Sequence, residues 1–446
     1  MTETIAGRPF WRLVFDKDGD ADQQLVATLA QERAALGITD LVMFTHGWNN
    51  GQDTAIRLYQ RWFDLLAAHL GAERKVGFVG ILWPSQLWRD EPIPDIEPTP
   101  RSTEGGGAAA AGRRPTAPAG TPTLEPEVLA DLESVFPDGA PQLDTIAELL
   151  AGPPTRETAV QLFAQLRALH AATSEGFADG EITTPEPGML DPDRDPVDLF
   201  TKFADKLAET GVEFEAGGGQ AGGIGDFVSR GLNGAKEALR QLSYWQMKNR
   251  AGVVGRTGLG PVIAKLAAGD NGVRVHLVGH SFGGRVVAYA LDGLGDADGS
   301  PIKSITLLQG AFSRFAFTNA LPFRRGKGAL AGRLDKLDGP LSVCFSRHDS
   351  ALGVMYPLAS FAKGDDAAEA EDKFFRYRAM GSHGAFEADD SLPLGGAGAA
   401  YPFQVRRILN LDASDVVTAG DPPSGAHSDI FKTELAWVVA AAGGLT

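Results

Sequence analysis

Gly279-His280-Ser281-Phe282-Gly283 sets a serine between two small residues, after an apolar run that starts at Val273. The residues that follow, from Arg285 onward, are typical of a helix. A strand, a tight G-x-S-x-G turn and a helix expose the serine hydroxyl for nucleophilic attack, and glycines are needed where strand and helix nearly touch. The start of the helix supplies backbone N–H groups for developing negative charge. The alternative is a serine in an ordinary strand-to-helix turn.

A second apolar run begins at Asp40 and ends in His46-Gly47-Trp48, before a polar loop and a predicted helix at Gln52–Leu70. A nucleophilic serine on such a turn needs a second N–H donor from the loop after an early strand. We therefore predict that the backbone N–H groups of Trp48 and Phe282 bind the oxyanion, with Gly47 allowing close approach. A plain strand-end turn is the alternative.

The serine also needs a base and a carboxylate that orients the base. Folds with this turn place the acid and then the histidine further along the chain. The predicted strand Pro301–Gly310 ends without an acid, whereas the strand that begins at Gly339 ends at Asp349. We predict Asp349 as the acid; the alternative role is that of a helix N-cap.

Three histidines follow the serine motif. His348 neighbours the acid, and His383 precedes the last predicted strand, Phe403–Leu411. His427 lies in the loop between that strand and a final predicted helix, Asp429–Ala442, which is the usual place for the base. We predict His427 as the base, with a surface loop as the alternative.

These motifs resemble the α/β-hydrolase superfamily, and more narrowly bacterial serine hydrolases and lipase-like proteins. The matching segments are 45–49, 81–85, 244–251, the serine turn, 346–353 and 425–430. The resemblance implies an α/β fold, with a mostly parallel central sheet flanked by helices. It also implies ester hydrolysis without a metal or an organic cofactor, on a small-molecule or lipid ester.

Composition agrees with a globular enzyme, because 43% of the residues are hydrophobic and 22% are charged. The net charge of −16 disfavours nucleic acid and anionic membranes as partners. The only cysteine, Cys344, lies within a predicted strand and is expected to be a buried, inert thiol. We expect no signal peptide, no transmembrane segment and a cytoplasmic location, with leaderless export as the alternative. The sequence favours no particular oligomeric state.

Roughly 190 residues separate the strand ending at Trp83 from the serine strand, where a minimal crossover needs about a dozen. We predict a hydrolase core over 1–90 and 242–446, and a mainly helical cap over 91–241 with a low-complexity loop at about 92–122. Predicted cap helices are 127–135, 143–150, 156–171 and 196–209, and a helix over 226–250 returns to the core. In the third, Val160, Phe163, Leu166 and His170 are expected to share one face.

We expect this face of the third cap helix to pack on neighbouring helices. The alternative is that it contacts an apolar substrate or a lipid surface. Gly217–Gly222 matches a nucleotide-binding glycine pattern, but no strong strand precedes it, so we interpret it as a hinge.

The expected function is cleavage of carboxylic esters through an acyl-enzyme on Ser281. Acyl transfer or thioester hydrolysis with the same residues is one alternative. A catalytically inactive hydrolase fold that serves as a binding module is another.

Overall fold

A computed structural model of the protein describes residues 2–85, 88, 123–153, 155–173, 188–209, 224–268, 272–295, 299–357, 375–388, 391–421 and 424–446. The low-complexity loop predicted at 92–122 and the glycine segment 217–222 lie outside these residues. The described strands are β1 (Glu3–Ile5), β2 (Arg8–Val14), β3 (Asp40–Thr45), β4 (Val76–Leu82), β5 (Arg274–His280), β6 (Ile302–Leu308), β7 (Leu341–Phe345), β8 (Ser391–Pro393) and β9 (Ile408–Asp412).

These strands form one nine-stranded sheet in the order β1-β2-β4-β3-β5-β6-β7-β9-β8. Only β1 runs antiparallel to its neighbour among them; every other pair is parallel, which confirms the predicted α/β class with a mostly parallel sheet. From β3 the chain passes to β4 on one side and then crosses to β5 on the other. Such a reversal opens a crevice at the carboxyl ends of β3 and β5, where ligands of open α/β sheets bind.

Helices cover both faces of the sheet, which explains the continuous apolar strands. The described helices are α1 (Gln23–Leu36), α2 (Gln52–Ala67), α3 (Pro126–Val135), α4 (Ala140–Ala151), α5 (Arg156–Thr173), α6 (Pro196–Glu209), α7 (Ile224–Val253), α8 (Gly260–Ala268), α9 (Phe282–Gly293), α10 (Met380–His383) and α11 (Thr433–Gly443). In β3, Val42 and Phe44 pack with α2 and α11, whereas Leu41 and Met43 face the opposite apolar core. This alternation is the two-residue period of a strand with both faces buried.

Helices α3 to α7 lie between β4 and β5 in the chain, where the sequence predicted helices. They pack on one another and belong to the same apolar core as α9 and one face of the sheet. Helix α7 runs without a break across the predicted domain boundary at 241/242, and the division into core and cap stays a prediction.

Three sequence predictions differ from the structure. The final helix, predicted to begin at Asp429, begins at Thr433. Val160 is 48% exposed, while Phe163, Leu166 and His170 are buried. Each residue turns the helix by about 100°, so a spacing of three residues falls about 60° short of a full turn. Two such spacings place Val160 about 120° from Leu166 around the helix. The last predicted strand begins at Ile408 instead of Phe403. Arg406 has a φ of 60°, which strand geometry excludes.

Candidate active site

The backbone of Ser281 adopts φ 55° and ψ −124° between the end of β5 and the start of α9. A non-glycine residue in this region is strained and persists only where its surroundings hold it. Positions 279 and 283 leave no room for a side chain, so both require glycine. A Cβ on Gly279 would lie 2.4 Å from the carbonyl oxygen of Gly283, and one on Gly283 would lie 2.0 Å from that of Thr45. The turn therefore has the tight geometry that the sequence predicted.

Ser281, His427 and Asp349 form one hydrogen-bonded array. The Oγ of Ser281 lies 2.8 Å from Nε2 of His427, and Nδ1 of the same ring lies 2.7 Å from Oδ2 of Asp349. Nδ1–H donates to the carboxylate, which leaves Nε2 as the acceptor of the serine proton. The structure thus brings together the three residues that the sequence predicted as nucleophile, base and acid, although they are up to 146 residues apart.

Two loops that pair with each other hold His427 and Asp349. Asp349 follows β7 and pairs with Gly425 in an isolated β-bridge, and the N–H of Ala426 donates to the carbonyl of His348 at 2.9 Å. Gly425 has a φ of 58°, and a Cβ there would lie 2.5 Å from the same carbonyl. The loop that carries His427 therefore contacts the loop that carries Asp349 at a distance that only glycine at position 425 permits.

Asp349 is fully buried, and burial raises the pKa of its carboxyl group, although His427 and the N–H of Leu352 act in the opposite direction. The Leu352 N–H donates to Oδ1 at 2.9 Å, which leaves Oδ2 for the histidine. A buried carboxylate with both oxygens bound fixes the ring orientation of the base. The bond from the Leu352 N–H is also the contact that a helix N-cap makes, so Asp349 both caps the following helical segment and contacts His427.

The loop after β3 passes directly over the serine. A Cβ on Gly47 would lie 2.7 Å from Cβ and 3.2 Å from Oγ of Ser281. Within the described part of the chain, the backbone N–H groups of Trp48 and Phe282 have no hydrogen-bond partner. Both predicted donors are thus available beside the nucleophile.

Two buried histidines flank the array. His46 stacks on Trp83, with ring centroids 5.6 Å apart, and its Nδ1 lies 2.9 Å from the carbonyl of Gly47. His280 donates from Nε2 to the backbone carbonyl of His427 at 2.9 Å. Burial lowers the pKa of His46 to about 4 and that of His280 to about 3, so both rings are neutral near pH 7. His280 therefore fixes the backbone of the base without adding charge.

Sequence reasoning missed Gln309, which follows β6 with a φ of 43° and donates from Nε2 to the carbonyl of Ala426 at 3.2 Å. It placed Tyr244 in a returning helix and in a segment that resembles the hydrolase family, but gave the residue no role of its own. His383 contacts Ser382 and lies outside the array, and burial lowers its pKa to about 4. Cys344 is buried in β7, and burial raises the pKa of its thiol to about 12, as expected of an inert cysteine.

A second Ser–His–Asp set lies on the central strands β3, β5 and β6, toward their amino ends. His276 contacts Ser304 Oγ through Nδ1 at 2.9 Å and Asp40 Oδ1 through Nε2 at 3.1 Å. All three are buried, with Ser304 only 1% exposed. This set links β3, β5 and β6 within the strands themselves, whereas Ser281 lies on the turn after β5, so the set provides an internal control for reactivity.

Comparison of the chain with protein-family models, curated proteins and solved structures gave no match. The function is therefore inferred from the geometry of the site.

Among the residues that the structure describes, no three His, Cys, Asp or Glu side chains are grouped as a metal ion would require. None of the described helices is both long and apolar enough to cross a membrane.

Proposed function

We propose that the protein is a serine hydrolase of the α/β-hydrolase type, which cleaves carboxylic esters through an acyl-enzyme on Ser281. The observation that carries the proposal is the continuous contact from Ser281 Oγ through the ring of His427 to Asp349, with distances of 2.8 and 2.7 Å. The array lies at the carboxyl ends of β5, β7 and β9, beside the reversal of strand order. Such a position is where catalytic groups of open α/β sheets lie.

The reaction has two steps. Ser281 Oγ attacks the ester carbonyl while His427 takes its proton, and the oxyanion accepts hydrogen bonds from the N–H groups of Trp48 and Phe282. The C–O bond to the alcohol breaks, and His427 returns the proton to the leaving oxygen. Water then attacks the acyl-enzyme with the same histidine as base, releasing the acid and restoring the serine. Asp349 holds the required tautomer and stabilises the imidazolium in both steps.

Covalent labelling tests the proposal directly. A fluorophosphonate should label the wild type, and Ser281→Ala should abolish labelling. Ser304→Ala is the matched control, because Ser304 also contacts a histidine paired with an aspartate but lies inside strand β6 instead of on a strained turn. Labelling that survives Ser281→Ala would place the nucleophile elsewhere, and an unlabelled wild type would favour a binding module.

A substrate panel then defines the reaction. Purified protein is assayed against p-nitrophenyl esters of graded chain length, a phospholipid and a thioester. A burst of p-nitrophenol followed by turnover that depends on an added alcohol or amine would identify acyl transfer instead of hydrolysis.

A further inference from the structure

Helix α7 presents an aromatic ring to both residues that carry the proposed oxyanion donors. The ring of Tyr244 lies edge-on to Trp48, with centroids 5.5 Å apart and an interplanar angle of 87°. Its centroid is also 4.5 Å from that of Phe282. Trp48 follows β3 and Phe282 begins α9, so a side chain from a third element contacts both.

A second, independent connection joins the same helix to the same loop. The indole Nε1 of Trp88 donates to Ser243 Oγ at 2.9 Å. The backbone of Trp88 in turn exchanges two hydrogen bonds with the side chain of Asn49, at 2.8 and 2.9 Å. Ser243 and Tyr244 are consecutive in α7, and Trp48 and Asn49 are consecutive in the loop.

Asn49 has a φ of 61°, in the left-handed region that non-glycine residues seldom adopt. Such a conformation persists where the surroundings fix it, and the paired bonds to Trp88 do so here. The conformation of Asn49 sets the direction of the chain immediately after Trp48. The contact of α7 with Trp88 therefore bears on the orientation of the Trp48 peptide.

From these contacts we infer that Tyr244 is a positioning residue, which sets the spacing of the Trp48 and Phe282 N–H groups around the oxyanion. The inference rests on the proposed function. It gives part of the segment between β4 and β5 a role in the chemical step, separate from any role in covering the site. Oxyanion donors must lie about 2.7–3.1 Å from the oxygen, so small shifts of either loop weaken the stabilisation.

Tyr244→Leu removes the ring that contacts both residues. We expect kcat for a p-nitrophenyl acetate to fall about 10- to 100-fold, less than or equal to the loss of one whole donor. KM should change little, because a small acetate ester has no need of the ring for binding. Affinity for phenylboronic acid, whose serine adduct places an oxygen in the oxyanion position, should fall in parallel with kcat/KM. Tyr244→Phe, which keeps the ring, should rescue most of the loss.

Trp245→Leu is the matched control. Trp245 is the next residue of α7, and its ring lies 5.7 Å from that of His170. This variant should keep kcat and boronate affinity within about twofold of wild type. The pH profile of kcat/KM should be the same in all variants, because the contact between His427 and Asp349 is untouched. Ser243→Ala removes the hydroxyl that accepts the hydrogen bond from Trp88, and it should lower boronate affinity about threefold or more. This variant tests the inference if Tyr244→Leu does not fold.

Three results would overturn the inference while the proposed function stands, each with Ser281 still labelled by the fluorophosphonate. The first is an unchanged kcat in folded Tyr244→Leu and Ser243→Ala. The second is a rise in KM alone, which would make Tyr244 a substrate contact. The third is a shifted pH profile, which would mean that the helix acts through His427. Loss of wild-type labelling would instead overturn the proposed function.

Discussion

Gly47→Ala tests whether the loop after β3 acts on the transition state. The backbone of Gly47 is outside the left-handed region, so alanine changes only the space available. The new Cβ would lie 2.7 Å from Cβ of Ser281, about 0.7 Å closer than an ordinary 3.4 Å contact. Because Ser281 is fixed between β5 and α9, we expect the loop to yield.

The size of the effect follows from this shift. Oxyanion donors function within a window of about 0.4 Å, and a displacement near 0.7 Å would move the Trp48 N–H outside it. Loss of one donor lowers kcat about 10²- to 10³-fold, equivalent to about 2.7–4 kcal/mol. We therefore expect that loss for p-nitrophenyl acetate, with His427 and Asp349 unaffected.

Steady-state kinetics and thermal unfolding of Gly47→Ala check this expectation. Gly396→Ala is the matched control, since a Cβ there meets no atom within 4 Å and the backbone is also outside the left-handed region. Both variants should unfold cooperatively, and only Gly47→Ala should lose activity. A folded Gly47→Ala enzyme with wild-type kcat would refute the assignment of the Trp48 N–H as an oxyanion donor.

Three further predictions concern the buried groups around the serine. His427→Ala should lower kcat about as much as Ser281→Ala, whereas His383→Ala should keep most activity; the reverse result in ester assays would move the base to His383. Asp349→Asn should lower kcat about 10⁴-fold. Burial raises the pKa of this carboxyl from 3.8, so the native state binds more protons than the unfolded chain just above that pH, and stability falls as the pH rises through this window. Calorimetry should therefore give Asp349→Asn an unfolding temperature at pH 7 no lower than wild type, with the difference shrinking toward pH 4; a clearly lower value at pH 7 would contradict this reasoning. His280 has the opposite sign: its pKa of about 3 lies below the unfolded value of 6.5, so its contribution is complete above pH 6.5 and is lost as the pH falls. Urea titrations should show wild type losing about 2 kcal/mol more than His280→Asn between pH 7 and pH 5, and equal losses would mean that the buried ring is not neutral.

The arrangement of the candidate site could be predicted from the sequence because its parts carry local constraints. The tight turn requires glycine at 279 and 283, and the sharp approach of two loops requires it at 425, so the backbone leaves a signature in consecutive residues. Asp349 and His427 were found from the elements that precede and follow them. The central strands were predicted for the same reason, since burial on both faces makes them continuously apolar.

The remaining features depend on contacts between distant parts of the chain. Tyr244 contacts Trp48 across 196 positions, and Gln309 contacts Ala426 across 117, and no local pattern in the sequence indicates either contact. The edge strands β1 and β8 have three residues each, too few to show a period. The start of β9 was predicted five residues too early, because the apolar and aromatic residues before it suit a strand while the conformation of Arg406 does not.

The pairing of β3 with β5 has a consequence for synthesis of the protein. Thr45 ends β3 and pairs with Gly279, so roughly 230 residues must be translated after β3 before its partner exists. At about 5–20 residues per second, one edge of a fully buried strand stays without its neighbour for roughly 10–50 s. An exposed apolar edge is a template for pairing with other chains. We expect the nascent chain to depend on chaperones during this interval, and slower accumulation at low temperature to raise the yield of soluble protein.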